Sequence, residues 1–454
     1  MSVVLKSQIL QSVSQLNAVC EGETVLARGD RGRATRGIQS GLVALGYPLR
    51  GGADGVFGPS TEKNVREFRT LHGQLGVPVV DAATLTLLDQ SLLRLEQSET
   101  YTLKSPRFVD DSHLNKVLAG NPLPRRAPAV KRIQQALLDL LFTLPRWGAD
   151  GILGKETGDA IRHFQKWKKI RPGGELTPVT LMALDETVPP PDQQVIRFPE
   201  YDRLVSDGLL TVTIGVGYDE DNNDTIQLPK LEAGLRAAGF DHDETTADDA
   251  VKIYRRPLIG HTGTMRIRLV SRYTATPEKN FATGLVQDAV TIYLGHARYG
   301  TGPDFDDKES PKENFVIGVG APQHLTGELE PGYNPHMNQI LAGIPNDLLA
   351  HRFDPQLDQL WMFLGCTTTN YLDELRTIVE NKDSQNLDLV LSTRPLYWSD
   401  MAFYGLEILN VLLNAGSINS LHRKLCAHAD QSEPNTNYTI DAFLLDGFGD
   451  NALG

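Results

Sequence analysis

The chain has 454 residues, of which 40% are hydrophobic and 22% are charged. These values are typical of globular proteins with well-formed cores, and the length predicts several domains. The formal net charge of −13 excludes a general electrostatic attraction to nucleic acid or to anionic membranes. No run of eighteen apolar residues occurs, so the sequence predicts no membrane span.

The cysteines, Cys20, Cys366 and Cys426, are few and odd in number. They therefore argue against a disulfide scaffold and fit either a reducing compartment or one reactive thiol. The first 18 residues lack the basic segment and apolar core of a Sec signal. Export would need another route.

An internal repeat dominates the first half of the chain. The sequence DGVFG at 54–58 recurs as DGILG at 150–154, and a threonine and a phenylalanine follow both copies at the same spacing. Such agreement predicts two copies of one unit. Apolar residues at helical spacing predict three short helices per copy, with the Asp-Gly segment as a turn whose glycines allow positive φ.

Residues 25–90 and 127–186 resemble the peptidoglycan-binding-domain-1 family in their Gln, DGxFG, Thr and Phe positions. The resemblance implies a cell-wall glycan as partner. The glycan-binding candidates are Asp54, Phe57, Asp150, Trp147 and Gln134. Copy two has Leu153 in place of the usual aromatic residue, and copy one has Arg69 in place of the usual Gln. A spacer without glycan affinity is therefore the alternative.

Between residues 125 and 172 the local charge is positive, and Lys166, Lys168, Lys169 and Arg171 are clustered there. The cluster fits either a solvated helix face or a surface that meets an anionic polymer.

The composition changes after residue 188, where three prolines at 189–191 favour a stiff linker. We predict the following organisation: a helical extension at 1–24, repeat one at 25–98, a linker at 99–124, repeat two at 125–188, a Pro-rich linker at 189–200 and an α/β domain at 201–454.

In the third region, buried-strand patterns alternate with helical patterns, which predicts a mainly parallel sheet covered on both faces. The predicted strands are Leu209–Val216, Met265–Tyr273, Ala289–Leu294, Leu360–Leu364 and Leu387–Leu391. Two of them run directly into Gly-His and Gly-Cys, at His296 and Cys366. Because ligands collect at the carboxyl ends of such strands, these residues are candidates for a thiol and its general base.

A hydrophobic strand that ends in His, followed by one that ends in Cys, resembles the caspase, metacaspase, gingipain and separase clan. The resemblance implies a caspase-like fold, with Cys366 as nucleophile, His296 as general base, and the backbone N–H groups of Cys366 and Ala297 as oxyanion hole. The sequence departs from that clan at Ala297, where glycine is usual, and in the Thr367–Thr369 tripeptide.

The order of His before Cys excludes NlpC/P60 and papain-like enzymes, and the wide separation excludes L,D-transpeptidases. The sequence contains no compact group of His and Glu residues at the spacing of a zinc site, so a zinc amidase is not predicted. The substrate-pocket candidates are Asp304, Asp306, Asp307, Arg394, Tyr397 and Trp398. The three aspartates would select a basic substrate side chain; a solvated loop or a calcium site is the alternative.

The sequence as a whole predicts a bacterial cysteine endopeptidase with a protein or peptide substrate, directed to the cell wall by its repeats. Two alternatives stay open: a peptidoglycan peptide hydrolase on the same dyad, and a non-catalytic wall-binding component or cargo of a phage-like injection system. No cofactor is predicted, with calcium left open. The protein would be cytoplasmic, or exported by a specialised apparatus to the cell wall or a target cell.

Overall fold

The computed structural model describes residues 4–144, 147–191, 193, 195–219, 221–246, 250–297, 303–305, 353–379, 381–433 and 441–451. The chain forms two compact units, residues 1–194 and 195–454. Within the described residues, no helix combines the length and the apolar character needed to cross a bilayer.

The first unit is helical, and the expected three helices are present in each repeat. Its helices are α1 Gln8–Gln11, α2 Asn17–Cys20, α3 Arg33–Ala44, α4 Pro59–Leu71, α5 Ala82–Glu99, α6 Ser112–Leu118, α7 Pro128–Asp139, α8 Lys155–Trp167 and α9 Pro178–Thr187. Phe68 on α4 and Phe164 on α8 are buried, because each projects from the apolar face of an amphipathic helix. Side-chain caps begin α5 at Asp81 and α9 at Thr177.

The segments before each repeat fold onto it. In repeat one, α1 and α2 contribute Leu10 and Val19 to the same core cluster as Phe68. In the segment predicted as a linker, α6 packs against α9. The sequence Leu-Lys-Ser at 5–7 recurs at 103–105. In each repeat, a buried carboxylate on the last helix accepts hydrogen bonds from backbone N–H groups of the Leu-Lys-Ser copy that precedes that repeat.

These carboxylates are Asp89 and Asp185. Asp89 accepts from the N–H groups of Lys6 and Ser7 at 2.8–3.1 Å. Asp185 accepts from those of residues 104 and 105 at 2.8 and 2.9 Å. Each structural repeat therefore begins about twenty residues before the region that the motif spacing reveals.

The second unit is an α/β domain around one sheet. Its strands are β1 Val205–Ser206, β2 Leu209–Val216, β3 Asp241–Thr245, β4 Lys252–Pro257, β5 Thr264–Ser271, β6 Val290–Leu294, β7 Gln359–Leu364, β8 Leu387–Ser392 and β9 Phe443–Asp446. Its helices are α10 Tyr201–Leu204, α11 Asp224–Ala237, α12 Pro277–Gln287, α13 Leu372–Ile378, α14 Met401–Leu413 and α15 Ile418–Ser432. The strand order is β3-β4-β5-β2-β6-β7-β8-β9, with β1 paired to β2.

The sheet is mixed, so the prediction of a mainly parallel sheet is wrong. Its centre, from β5 through β2, β6 and β7 to β8, is parallel. The β3–β4, β4–β5, β8–β9 and β1–β2 pairs are antiparallel. Six residues join β4 to β5, too few for the crossover that a parallel pair needs. In the described part of the connection from β8 to β9, the two helices α14 and α15 follow one another.

The central strands are those the sequence predicts, within one or two residues at each end. The sequence does not predict the outer strands β3, β4 and β9. All five residues of β3 (DHDET) are exposed, because an edge strand lacks the apolar pattern of a covered one.

Candidate functional site

The candidate site lies at the carboxyl edge of the parallel strands, where three polar residues follow neighbouring strands. Val216 of β2 pairs with Leu294 of β6, and Leu294 pairs with Leu364 of β7. Asp219 follows β2, while His296 and Cys366 each lie two residues beyond the end of their strand. Since paired strands are about 4.8 Å apart, the expected convergence of His296 and Cys366 at one sheet edge fits this register.

The glycines before His296 and Cys366 allow the two strand ends to approach closely. The N–H of Gly295 donates to the carbonyl oxygen of Leu364 at 3.0 Å. A Cβ added to Gly365 would lie 2.5 Å from the carbonyl oxygen of Gly295 and 3.2 Å from the nitrogen of Ala297. Any larger residue at 365 would therefore separate the strands that carry the two side chains.

Cys366 differs from the other two cysteines in its exposure. It is exposed, whereas Cys20 and Cys426 are buried. Burial raises the pKa of the Cys426 thiol to about 11, which leaves it protonated at neutral pH. Cys426 also has a histidine neighbour, with 3.5 Å between its Sγ and Nε2 of His422. This second Cys–His pair is unsuited to nucleophilic chemistry, because its thiol stays protonated.

The turn after Cys366 is held in a left-handed conformation. Thr367 has φ 55°, which is costly for a β-branched residue, and its N–H donates to the carbonyl oxygen of Arg394 at 3.2 Å. Behind it, the buried Thr368 N–H donates to Oγ of Ser392 at 3.1 Å, and the Ser392 hydroxyl in turn donates to the carbonyl oxygen of Gly365. A buried network thus fixes the backbone on both sides of the thiol.

His296 is oriented by a carboxylate that sequence reasoning missed. Nε2 of His296 lies 2.8 Å from Oδ1 of Asp219, and Asp219 is 3% exposed. Partial burial opposes its ionisation, but hydrogen bonds from the Asn223 backbone and side chain and from His296 hold the pKa of Asp219 below its ordinary value. Its place after a predicted strand, like that of His296, is the signal that could have found it.

The tautomer of His296 follows from this carboxylate. The indole Nε1 of Trp398 also lies 3.0 Å from Nε2 of His296, but an ionised Asp219 can only accept, so Nε2 carries a hydrogen toward it. Trp398 then acts as an edge-on ring neighbour, with ring centroids 5.4 Å apart. In this tautomer Nδ1 is the basic nitrogen.

The remaining predicted pocket residues differ in their surroundings. Arg394 is 3% exposed and its guanidinium pairs with Asp430 at 2.6 Å, whereas Tyr397 is half exposed. Asp304 is 2% exposed, so it does not offer an open acidic surface. Asp306 and Asp307 lie outside the described residues. The predicted acidic pocket and the calcium alternative, which depend on them, therefore stay predictions. In the part of the chain that the structure describes, no group of three or more His, Cys, Asp or Glu side chains could hold a metal ion.

In the repeats, Gln134 and Asp150 hold the Asp-Gly turn together. Nε2 of Gln134 donates to Oδ1 of Asp150 at 2.8 Å and to Oγ1 of Thr157 at 2.9 Å, and its Oε1 accepts from the Gly151 N–H at 2.7 Å. The hydrogen bonds from Gln134 and from the Ile152 backbone lower the pKa of Asp150. Gln134 is 1% exposed, so its role is structural.

The same arrangement occurs in repeat one, where Gln39 donates to Asp54 at 2.8 Å and accepts from the Gly55 N–H at 2.7 Å. Phe57 is 1% exposed and lies in the core, so its ring has no surface for a glycan. Trp147 is 72% exposed. Of the aromatic glycan-binding candidates, only Trp147 therefore has a ring open to solvent.

Comparison with known proteins supports the repeats alone. Residues 31–88 and 126–184 match the family model described as "Putative peptidoglycan binding domain". No curated protein matches the chain. The two segments are thus similar to that family, in agreement with the expected tandem repeats.

Proposed function

We propose that the protein is a cysteine peptidase of caspase-like fold, directed to the bacterial cell wall by its repeats. Cys366 is the nucleophile, His296 is the general base and Asp219 orients His296. The observation that supports this assignment best is the sheet edge itself: an exposed thiol and a carboxylate-bound imidazole follow registered neighbouring strands.

The reaction follows the usual course of thiol acyl transfer. Nδ1 of His296 accepts the Cys366 proton, and the thiolate attacks the scissile carbonyl carbon. The imidazolium then protonates the leaving amine, and the acyl group stays on sulfur as a thioester. A water molecule, deprotonated by the same imidazole, attacks the thioester, which releases the carboxylic acid and restores the thiol. Throughout, Asp219 stabilises the imidazolium and fixes its orientation.

Two backbone N–H groups are suited to the developing oxyanion. Those of Cys366 and Ala297 have no hydrogen-bond acceptor within the described parts of the chain, and Ala297 is 1% exposed. Buried N–H groups are normally paired, so donors left open beside an exposed thiol favour an oxyanion hole. The burial of Ala297 also keeps water from competing for its N–H.

Wall targeting rests on the two segments that match the peptidoglycan-binding family. The same match favours a second candidate, in which the dyad cleaves peptidoglycan peptides instead of proteins. Both candidates need the same nucleophile and differ only in the product that is released.

Labelling with a peptidyl electrophile tests the nucleophile, and the chain offers a matched control. We expect labelling of the wild type and of Cys426→Ala, and loss of labelling in Cys366→Ala. If Cys366→Ala is labelled as well as the wild type, Cys366 is not the nucleophile. If a correctly folded wild type takes no label, the protein is a wall-binding component without this activity.

The products distinguish the two enzymes. Release of peptides from a protein substrate supports the endopeptidase, and release of soluble fragments from purified sacculi supports the wall hydrolase. Retention on sacculi tests the repeats separately from the chemistry.

A further inference from the structure

A cleft of about 650 Å³ lies between the two repeats of the first unit, and neither the peptidase site nor the Asp-Gly turns use it. Repeat one lines it with the end of α3 and with parts of α4 and α5, and repeat two with the segment after α8. This volume is in the range of small-molecule sites. Because both repeats contribute, the cleft is a product of their tandem arrangement.

The repeat-one side of the cleft carries a cluster of three rings, those of Tyr47, Phe68 and His72. Tyr47 and Phe68 are 3% and 2% exposed, and their rings meet edge-on with centroids 6.1 Å apart. The His72 ring lies against Phe68, with centroids 4.2 Å apart. Burial lowers the pKa of His72, so this imidazole is neutral at pH 7 and extends the apolar surface.

The opposite wall is cationic. Lys168, Lys169 and Arg171 line it, and Glu175 is the acidic residue among the lining residues. Within the described ranges, neither Lys169 nor Arg171 has a carboxylate within 4.0 Å. The Arg171 guanidinium lies over the Tyr47 ring, 5.7 Å from its centroid. A cation therefore stands directly above the apolar wall.

We propose that this cleft binds a carboxylate-bearing segment of the wall polymer, an N-acetylated sugar with its short peptide. Acetyl and methyl groups would pack on the half-buried side chains of Leu45, Leu87 and Ile170, which line the cleft in front of the buried rings. Peptide carboxylates would meet Lys169 and Arg171. The proposal rests on the wall-binding part of the proposed function and assigns a ligand to it. It also gives the basic cluster of repeat two a role beyond a solvated helix face.

The test uses the full chain and soluble disaccharide-tetrapeptides prepared from purified peptidoglycan. Calorimetry would give the dissociation constant for the wild type, for Lys169→Ala/Arg171→Ala, and for Lys131→Ala/Lys155→Ala. The last variant removes two exposed cations of the same repeat that do not line the cleft. We expect the cleft variant to bind about tenfold more weakly or worse, the control to bind like the wild type, and Arg171→Lys to keep most of the affinity.

Three results would overturn the proposal: unchanged affinity in the cleft variant, equal affinity of the wild type for an uncharged N-acetylglucosamine oligomer, and binding to a polyphosphate wall polymer but not to the peptide-bearing sugar. Retention on sacculi distinguishes a failure of wall targeting from a failure of the cleft proposal. A wild type that is not retained contradicts wall targeting itself. A wild type and a cleft variant that are retained equally contradict only the cleft.

Discussion

The replacement Gln134→Ala distinguishes a structural role from a ligand role for the residue that best marks the repeat. Its side chain has two N–H hydrogens and one carbonyl oxygen. The N–H groups serve Asp150, Thr157 and the Ile152 carbonyl, at 2.8, 2.9 and 3.1 Å, and the oxygen accepts from Gly151. The alanine variant therefore loses about three hydrogen bonds.

Each buried hydrogen bond contributes about 1 kcal/mol net, and the bond to an ionised carboxylate contributes more. The sum is about 3 kcal/mol, because the Gly151 N–H also loses its acceptor, whereas the Thr157 hydroxyl keeps its hydrogen bond to the Ile152 carbonyl. Repeat two should then open about two orders of magnitude more often. Hydrogen exchange of peptides from residues 126–184, followed by mass spectrometry, measures this opening in the full chain.

The neighbouring Gln135→Ala is the matched control, since Gln135 makes one exposed hydrogen bond to Asp139 at 2.9 Å. It should change the free energy of opening by less than about 0.5 kcal/mol. An effect below about 1 kcal/mol in Gln134→Ala would refute the structural account. So would a variant that keeps its wild-type exchange rates but loses affinity for wall fragments.

Three further predictions concern the second unit. Asp219→Asn should lower the rate of Cys366 labelling at pH 7 by about tenfold or more, because the imidazolium loses its charged partner. Gly365→Ala should lower the thermal midpoint by several degrees, because its Cβ would lie 2.5 Å from the Gly295 carbonyl oxygen. Burial raises the pKa of the Asp450 carboxyl to about 7. The contribution of this group to the free energy of unfolding should therefore be largest below about pH 4 and fall as the pH rises toward 7. Asp450→Asn should reduce that fall.

These predictions have simple controls and clear contrary outcomes. Gly154 has no atom within 4 Å of an added Cβ, so Gly154→Ala should leave the thermal midpoint nearly unchanged. An Asp219→Asn variant labelled at the wild-type rate across the pH range would remove Asp219 from the mechanism. A thermal midpoint with the same pH dependence in wild type and Asp450→Asn would show that this carboxyl is not linked to folding.

Local patterns in the sequence determine much of this protein. The period of the Asp-Gly turns predicts two three-helix repeats, because turn chemistry and helical periodicity depend on neighbouring residues. Short segments rich in apolar residues, or alternating apolar and polar residues at 265–273, predict the central strands, since strands covered by helices need apolar side chains. The Gly-His and Gly-Cys strand ends direct attention to the carboxyl edge of the parallel strands, where His296 and Cys366 both lie.

Tertiary structure decided what depends on contacts between distant segments. The direction of a strand follows from its pairing partner, so the antiparallel pairing of β3, β4 and β9 could not be predicted from their own residues. Phe57 and Gln134 carry the marks of the repeat because they build it, and burial takes them away from any ligand. Asp219 is 77 positions from His296, and the cleft exists only where two repeats meet; proximity of this kind is created by folding.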